Sequence, residues 1–156
     1  MGKLSKEEKE LRQFRRWKKT QESKLSKQEL EEIKELEKEA LGLWKKAVRK
    51  RAKGKCEVHG DKCKKSRKNA HHVEAYATNK FLRYDPRNGV YACVTAHKFG
   101  KLSFQKSLCF SFEFMAKNRK NDFVFLLKVY KEDIPITKGG LEAAIKHLKM
   151  FLDLDK

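Results

Sequence analysis

Apolar side chains recur at helical spacing through the first fifty residues, inside a highly charged stretch. They fall three or four residues apart, which draws one stripe along a helix: Leu30, Ile33, Leu36, Ala40, Leu43, Trp44 and Ala47. Two capping boxes, Ser5 to Glu8 and Ser26 to Glu29, predict helix starts, because Ser and Glu each satisfy an unpaired backbone N–H. Gly54 predicts the end. We expect a helical arm, folded as a hairpin, that packs one apolar stripe on the domain and turns a strongly basic face toward solvent.

The middle third of the chain replaces helical spacing with short apolar runs. Residues 55–70 contain almost nothing apolar, so we expect a loop or knuckle there. Val73–Tyr76 and Val90–Val94 have the length and alternation of two short strands, with Asn88-Gly89 as a turn before the second. A helix carrying His97 is expected from Thr95 onward. The pattern predicts two strands followed by a helix.

The last third returns to helical spacing and is rich in phenylalanine. Residues 104–130 predict two short helices with a polar break at Asn118–Asn121. Their aromatic side chains are expected in the core rather than in a base-stacking platform, and Cys109 is expected to be a buried core thiol. A final helix should follow Gly139-Gly140, with one apolar face made of Leu141, Ala144, Ile145, Leu148, Phe151 and Leu152.

The net charge of this chain of 156 residues indicates which classes of partner it can bind. The formal net charge is +18, from 39 basic and 21 acidic residues. That excess favours anionic partners, with nucleic acid first and an anionic membrane surface second. No apolar run approaches the roughly 18 residues that cross a bilayer, and the N-terminus lacks the apolar segment of a signal peptide. We expect a cytoplasmic protein whose four cysteines are thiols or metal ligands rather than disulfides.

Four of the five histidines lie between His59 and His97. Histidine is the commonest metal ligand and also a base that works near neutral pH. In a basic chain this cluster indicates metal-assisted hydrolysis of a polyanion, in which a divalent cation stabilises the leaving oxygen and one histidine takes a proton from water. Since adjacent side chains on a strand point to opposite faces, His71 and His72 are expected to have different roles.

Four motifs occur in a fixed order, and they are Cys56-x2-His59-Gly60, Ala70-His71-His72, Arg83-x-Asp85-x2-Asn88-Gly89 and Cys93-x3-His97. Together they resemble the HNH, or ββα-metal, endonucleases, and in particular small phage recombination endonucleases of the NinG/Rap Holliday-junction kind. The resemblance covers roughly residues 44–130. It implies an α+β, mainly helical protein with a ββα-metal core, a helical N-terminal arm and C-terminal helices.

The resemblance gives each matching residue an expected role. His72 matches the general base, while His71 and His97 match ligands of a catalytic Mg²⁺ or Mn²⁺ ion. Asn88 matches a residue that binds the metal in some members and braces the loop in others. Arg83 lies where a basic side chain contacts phosphate during catalysis. Further contacts to nucleic acid are expected from Arg49, Lys50, Arg51 and Lys98.

The resemblance also implies a structural zinc ion. Many relatives carry two Cys-x2-Cys knuckles whose four thiolates hold zinc. Ala96 stands where the last ligand of the second knuckle is expected, so Cys63 would complete the set of Cys56, His59, Cys63 and Cys93. The alternative is that these residues are buried thiols and a histidine facing solvent.

These expectations describe a divalent-metal-dependent HNH endonuclease acting on DNA, including branched or recombination intermediates, in the host cytoplasm if phage-encoded. The expected domains are a basic arm over 1–53, the nuclease core over 54–131, and a C-terminal connector and helix over 132–156. A homodimer would suit a junction substrate, since it supplies two active sites. Two other functions stay open, namely a non-catalytic nucleic-acid-binding module on the same scaffold and a packaging accessory whose first 55 residues bind a protein.

Overall fold

The computed structural model describes residues 26–73, 82–100, 103–129 and 137–153, together with 13, 15 and 16, which are helical. The longer helices are α1 (Lys27–Arg51), α2 (Leu108–Asn118), α3 (Lys120–Val129) and α4 (Lys138–Asp153). Strands β1 (Lys68–His72) and β2 (Gly89–Cys93) form one antiparallel sheet. The predicted α+β, mainly helical class is confirmed. None of the described helices combines the length and apolarity that a membrane span requires.

The chain divides into two compact units, Met1–Glu35 and Leu36–Lys156. In the first unit, α1 starts at the predicted capping box. The Glu29 N–H donates to Ser26 Oγ at 3.2 Å, and the Ser26 N–H donates to Glu29 Oε2 at 2.8 Å. Each residue therefore satisfies a backbone donor of the other. The other predicted capping box, Ser5 to Glu8, lies outside the described residues.

In the second unit, the apolar stripe of α1 packs on the sheet. Ala40, Trp44, Ala47 and Val48 are buried, as the helical spacing predicted for three of them. Trp44 also donates its indole N–H to the Asp85 carbonyl at 3.0 Å, which joins α1 to the segment before β2. The helix ends as Gly54 predicted, because Gly54 has φ +69° and donates to the Arg49 carbonyl at 2.9 Å.

The register of the sheet places β1 earlier than the apolar pattern predicted. β1 pairs with β2 from Lys68 opposite Cys93 to His72 opposite Gly89. The predicted strand at Val73–Tyr76 is wrong at Val73, which lies in a bend, and its remaining residues are outside the described part. Since a short strand is stabilised by the pairing of its backbone with a partner, the polar Lys68-Asn69 pair can belong to it despite its weak apolar signal.

The helix expected after β2 is a single π-type turn, Thr95–Phe99, which ends where Gly100 donates to the Thr95 carbonyl at 2.7 Å. The two predicted short helices in the phenylalanine-rich segment are present as α2 and α3. Phe104, Phe114, Met115 and Leu126 are buried with the inner face of β2, which confirms a core role for these side chains. The prediction for Cys109 is wrong: this thiol is exposed, because α2 turns Ser111, Phe114 and Met115 inward.

A charged network fastens the start of β2 to the helices on either side. Glu57 accepts hydrogen bonds from Arg51 at 3.0 Å and from Arg119 at 3.3 Å. Both guanidinium groups also donate to the Gly89 carbonyl, at 3.0 Å from Arg119. The side chains of Glu57 and Arg119 are only 14% and 12% exposed. Because these charges are paired and hydrogen-bonded, their burial is tolerated and the network orients β2.

Candidate functional site

Three cysteines and one histidine converge beside the end of β2. One ligand atom from each of Cys56, His59, Cys63 and Cys93 lies within 4.8 Å of the others. His59 Nδ1 is 3.3 Å from Cys93 Sγ and 3.7 Å from Cys56 Sγ. Within the described segments, no other group of three or more His, Cys, Asp or Glu side chains is placed to share a metal ion. The four residues that the sequence proposed for zinc are therefore brought together by the fold.

A tight turn explains how three of these residues meet. Gly60 donates to the Cys56 carbonyl at 2.7 Å and adopts φ +53°, a conformation that favours glycine. Cys63 then donates to the Gly60 carbonyl at 3.2 Å, which folds its side chain back over the turn. Cys93 arrives from β2, and its own N–H donates to Cys56 Sγ at 3.3 Å. Cys56, His59 and Cys63 therefore come from one turn of the chain, and Cys93 at the end of β2 is the fourth residue of the cluster.

Ala96 has no side-chain ligand to offer, but its backbone N–H contributes to the cluster. Burial raises the pKa of the Cys93 thiol, but hydrogen bonds from the Ala96 backbone and from His59 outweigh burial and lower that pKa to about 7. Cys93 is therefore partly thiolate at neutral pH, and the thiolate is the form that binds metal. Ala96 contributes a backbone donor while Cys63 supplies the missing sulfur.

The size of this cluster fits zinc. Tetrahedral zinc has Zn–S and Zn–N bonds of about 2.3 and 2.0–2.1 Å, so its ligand atoms lie about 3.5–3.8 Å apart. The separations from His59 Nδ1 to the sulfurs of Cys93 and Cys56, 3.3 and 3.7 Å, are close to those edges, and all four ligand atoms lie within 4.8 Å of one another. Four ligands close the coordination sphere, which is typical of a structural rather than a catalytic zinc site.

A second group of histidines lies around β1. The rings of His71 and His97 meet edge to face, with centroids 4.8 Å apart, and His71 also contacts the ring of Phe104 at 5.4 Å. Burial, followed by the charges of His97 and His72, lowers the pKa of His71 to about 4. Burial and the charge of Lys98 lower the pKa of His97. Both rings are therefore neutral at pH 7 and keep a lone pair for a cation.

His72 occupies the opposite face of β1, as strand alternation predicted. Its ring lies parallel to that of Trp44 with centroids 3.7 Å apart, and its Nε2 is 2.8 Å from the Arg83 carbonyl. A carbonyl only accepts, so Nε2 carries the proton and the neutral ring has its lone pair on Nδ1. Burial is the largest influence that lowers the pKa of His72, and the charges of Arg83 and Lys45 lower it further.

Asn88 and Arg83 support His72 through the backbone of the connecting segment. Asn88 is 1% exposed, and its side-chain N–H donates to the Leu82 carbonyl at 3.1 Å, so its position is that of a brace. The Arg83 side chain is 13% exposed and bonds Glu37 of α1 at 3.2 Å. Arg83 therefore meets the site through its carbonyl, whereas its guanidinium, expected to contact phosphate, is engaged with α1.

Of the four basic residues expected to contact nucleic acid, two are bonded within the protein and two are exposed. Lys50 donates to the Phe151 and Leu152 carbonyls at the end of α4, at 2.9 and 2.8 Å, and Arg51 belongs to the Glu57 network. Arg49 and Lys98 are exposed. Sequence reasoning missed Lys68 and Tyr91, which join Arg49 around one groove, and it missed Trp44 as the ring beneath His72. Only the pairing of β1 with β2 and the packing of α1 reveal these neighbours.

The chain was also compared with known proteins, and no family model, curated protein or solved structure matches it.

Proposed function

We propose that this protein is a divalent-metal-dependent endonuclease of the ββα-metal kind that hydrolyses phosphodiester bonds in DNA. The observation that carries the proposal is the contact between the rings of His71 and His97, whose centroids are 4.8 Å apart. One comes from β1 and the other from the turn that follows β2. Two neutral imidazoles can hold a cation, and His72 on the opposite face of the same strand can act as the base, so both roles needed for metal-assisted hydrolysis have a candidate residue.

The donor set favours one class of cation. His71 and His97 offer imidazole nitrogens, whereas Mg²⁺ prefers oxygen ligands in near-ideal octahedral geometry. Mn²⁺ shares the preference for oxygen but, as a transition metal, also accepts nitrogen ligands. Mn²⁺ is therefore a better fit to this pair than Mg²⁺. When bound, such a cation supplies positive charge to the scissile phosphate and to the leaving oxygen. Its remaining ligands would be water and the phosphate itself.

His72 is the proposed general base. Its Nε2–H is held by the Arg83 carbonyl, so Nδ1 would take the proton from water as the water oxygen bonds to phosphorus. The P–O bond to the leaving oxygen breaks in the same displacement, and that oxygen takes up a proton from solvent. Stacking on Trp44 fixes the plane of the ring. Because His71 and His72 lie on opposite faces of β1, the scissile phosphate would sit at the outer edge of this strand, where the two faces meet.

The Cys56, His59, Cys63 and Cys93 cluster is proposed to hold a structural zinc ion. Cys93 is the last residue of β2 and lies four residues before His97, which belongs to the π-type turn that follows the strand. Zinc there would join the knuckle to β2 and so set the direction in which His97 leaves the sheet. In this arrangement the zinc supports the catalytic pair without taking part in hydrolysis.

The test is plasmid nicking by the zinc-loaded chain with Mn²⁺, with Mg²⁺ and without added metal. Wild-type protein should nick with Mn²⁺, and His72→Ala and His72→Gln should lose about 10²–10⁴-fold in rate, the usual contribution of a general base. Glutamine can place an amide N–H near the position of His72 Nε2 and so keep a donor for the Arg83 carbonyl, which separates loss of the base from loss of the bond. His147→Ala is the matched control, since His147 is exposed on α4.

Nicking by both His72 variants at the wild-type rate would refute the role of His72. If the folded wild-type protein cut nothing with any divalent metal but still bound DNA, the non-catalytic nucleic-acid-binding module would replace the nuclease as the function.

A further inference from the structure

A groove of about 430 Å³ lies between α1 and the sheet. Its helix wall carries three cations, and its sheet wall carries a fourth cation and a phenol ring. We call it the cationic groove and define it by Lys45, Lys46, Arg49, Lys68, Asn69 and Tyr91. The register explains the sheet wall: Lys68 and Ala70 alternate along β1, and Tyr91 is the partner of Ala70 across the sheet. The groove is thus a product of the β1–β2 pairing and of the helix packed over it.

The four cations of the cationic groove make no ion pair with any acidic side chain in the described segments. Other lysines of this chain are paired: Lys117 lies 2.6 Å from Glu113, and Lys149 lies 2.7 Å from Glu39. Like charges gathered in one concavity repel each other and attract counter-ions. An anionic ligand with several charges would remove that repulsion.

We propose that the cationic groove binds the phosphodiester backbone of a nucleic acid strand. A backbone presents phosphates in series, which matches cations on two facing walls better than a single anion does. Tyr91 adds an aromatic ring to the sheet wall, and such a ring can contact sugars and bases. A flat anionic membrane surface has no feature that would fill a concave groove of this kind.

The groove opens on the same face of the sheet as the proposed base. Lys68, Ala70 and His72 lie on one face of β1. A strand held in the groove therefore runs toward the edge where the scissile phosphate is placed. Binding in the groove rests on the nucleic-acid part of the proposed function and does not depend on hydrolysis.

The experiment compares two double variants of equal charge. Lys46→Gln with Lys68→Gln removes one cation from each wall, while Lys117→Gln with Lys149→Gln removes two cations that lie outside the groove and have acidic partners. Binding to labelled duplex DNA, single-stranded DNA and single-stranded RNA is followed by fluorescence anisotropy over a range of salt. No Mn²⁺ or Mg²⁺ is added, so the strands stay intact. Vesicles containing an anionic phospholipid form a fourth arm.

The groove variant should bind duplex DNA about 30-fold more weakly at 0.15 M salt, because each lost phosphate contact there costs about fivefold. The slope of log K against log salt should become shallower by about 1.8, or by about 1.4 for a single strand. The control variant should stay within about twofold of wild type, since neither of its lysines touches the strand. Comparing the DNA and RNA arms then identifies which strand is preferred.

Equal losses in the two double variants would overturn the proposal, because net charge alone would then explain binding. Vesicle binding that weakens in the groove variant, with unchanged binding to all three nucleic acids, would assign the groove to a lipid surface instead. Failure of the nuclease is distinguishable: wild-type protein would then cut nothing, yet the groove variant would still show the shallower salt slope.

Discussion

Replacing Gly89 with alanine tests the packing that holds the candidate base in place. Gly89 is the first residue of β2 and has φ −118°, an extended conformation that any residue adopts, so the effect of the substitution is steric. A Cβ atom at this position would overlap Val48 Cγ2 and lie 2.9 Å from Trp44 Cζ2. Val48 and Trp44 are 0% and 1% exposed, so neither side chain can swing into solvent.

Overpacking of a core usually costs about 1–3 kcal/mol. We expect about 2–3 kcal/mol for Gly89→Ala, because both obstructing side chains are buried, which corresponds to a fall in Tm of about 5–10 °C for a chain of this size. Gly42→Ala is the matched control. Gly42 is exposed on α1 and a Cβ there would meet no neighbouring atom within 4 Å, so alanine should stabilise the helix by about 0.5–1 kcal/mol.

Urea unfolding followed by far-UV circular dichroism measures both variants. A double-mutant cycle with Val48→Ala then isolates the contact, since removal of the Val48 methyl groups should recover part of the cost of Gly89→Ala. A change below about 0.5 kcal/mol for Gly89→Ala, the size expected for a neutral surface substitution, would refute the close approach of α1 to β2. Additive costs in the cycle would refute the assignment of the clash to Val48.

Two further predictions concern the metal cluster and pH. Cys63→Ser should lower the zinc content per chain and the Tm, because it removes one of four ligands, whereas Cys109→Ser, at an exposed thiol, should change neither. Metal analysis after dialysis measures the zinc content, and thermal unfolding measures the Tm. Equal zinc content in the two variants would exclude Cys63 as a ligand. Without added Mn²⁺ or Mg²⁺, the free energy of unfolding should fall as pH drops from 6.5 toward 4, because burial, and then the charges of His97 and His72, lower the folded-state pKa of His71 from 6.5 to about 4. In that window the unfolded state takes up the proton first, so the contribution of His71 is complete above pH 6.5 and lost near pH 4. His71→Gln should flatten this dependence, and an unchanged slope would contradict the assignment.

Local signals were sufficient wherever the structure is built from neighbours along the chain. The capping box at Ser26 and Glu29 and the glycine at Gly54 predicted the start and end of α1. The spacing of Cys56, His59 and Cys63 predicted a knuckle, because these residues meet within one turn. Interactions of this kind depend on a few consecutive backbone torsions, which residue type controls directly.

Exposure of single side chains was harder to predict. Cys109 was expected in the core because its neighbours are apolar, but in α2 it lies on the exposed side. Lys50 and Arg51 were expected to contact DNA because they are cationic. Their side chains instead donate hydrogen bonds to backbone carbonyls and to a carboxylate inside the protein. Charge counts identify cations, while the distance to an acceptor on another element decides whether they remain available.

The order of motifs along the chain determined which histidines and cysteines were candidates, and helical spacing determined which face of α1 is buried. Only the tertiary structure decided that β1 runs from Lys68 to His72, that His71 meets His97 while His72 stacks on Trp44, and that Cys93 completes the cluster. The physical reason is that strand register and helix packing depend on partners distant in sequence. A shift of one residue in the pairing of β1 and β2 would exchange the faces of His71 and His72 and disperse the site.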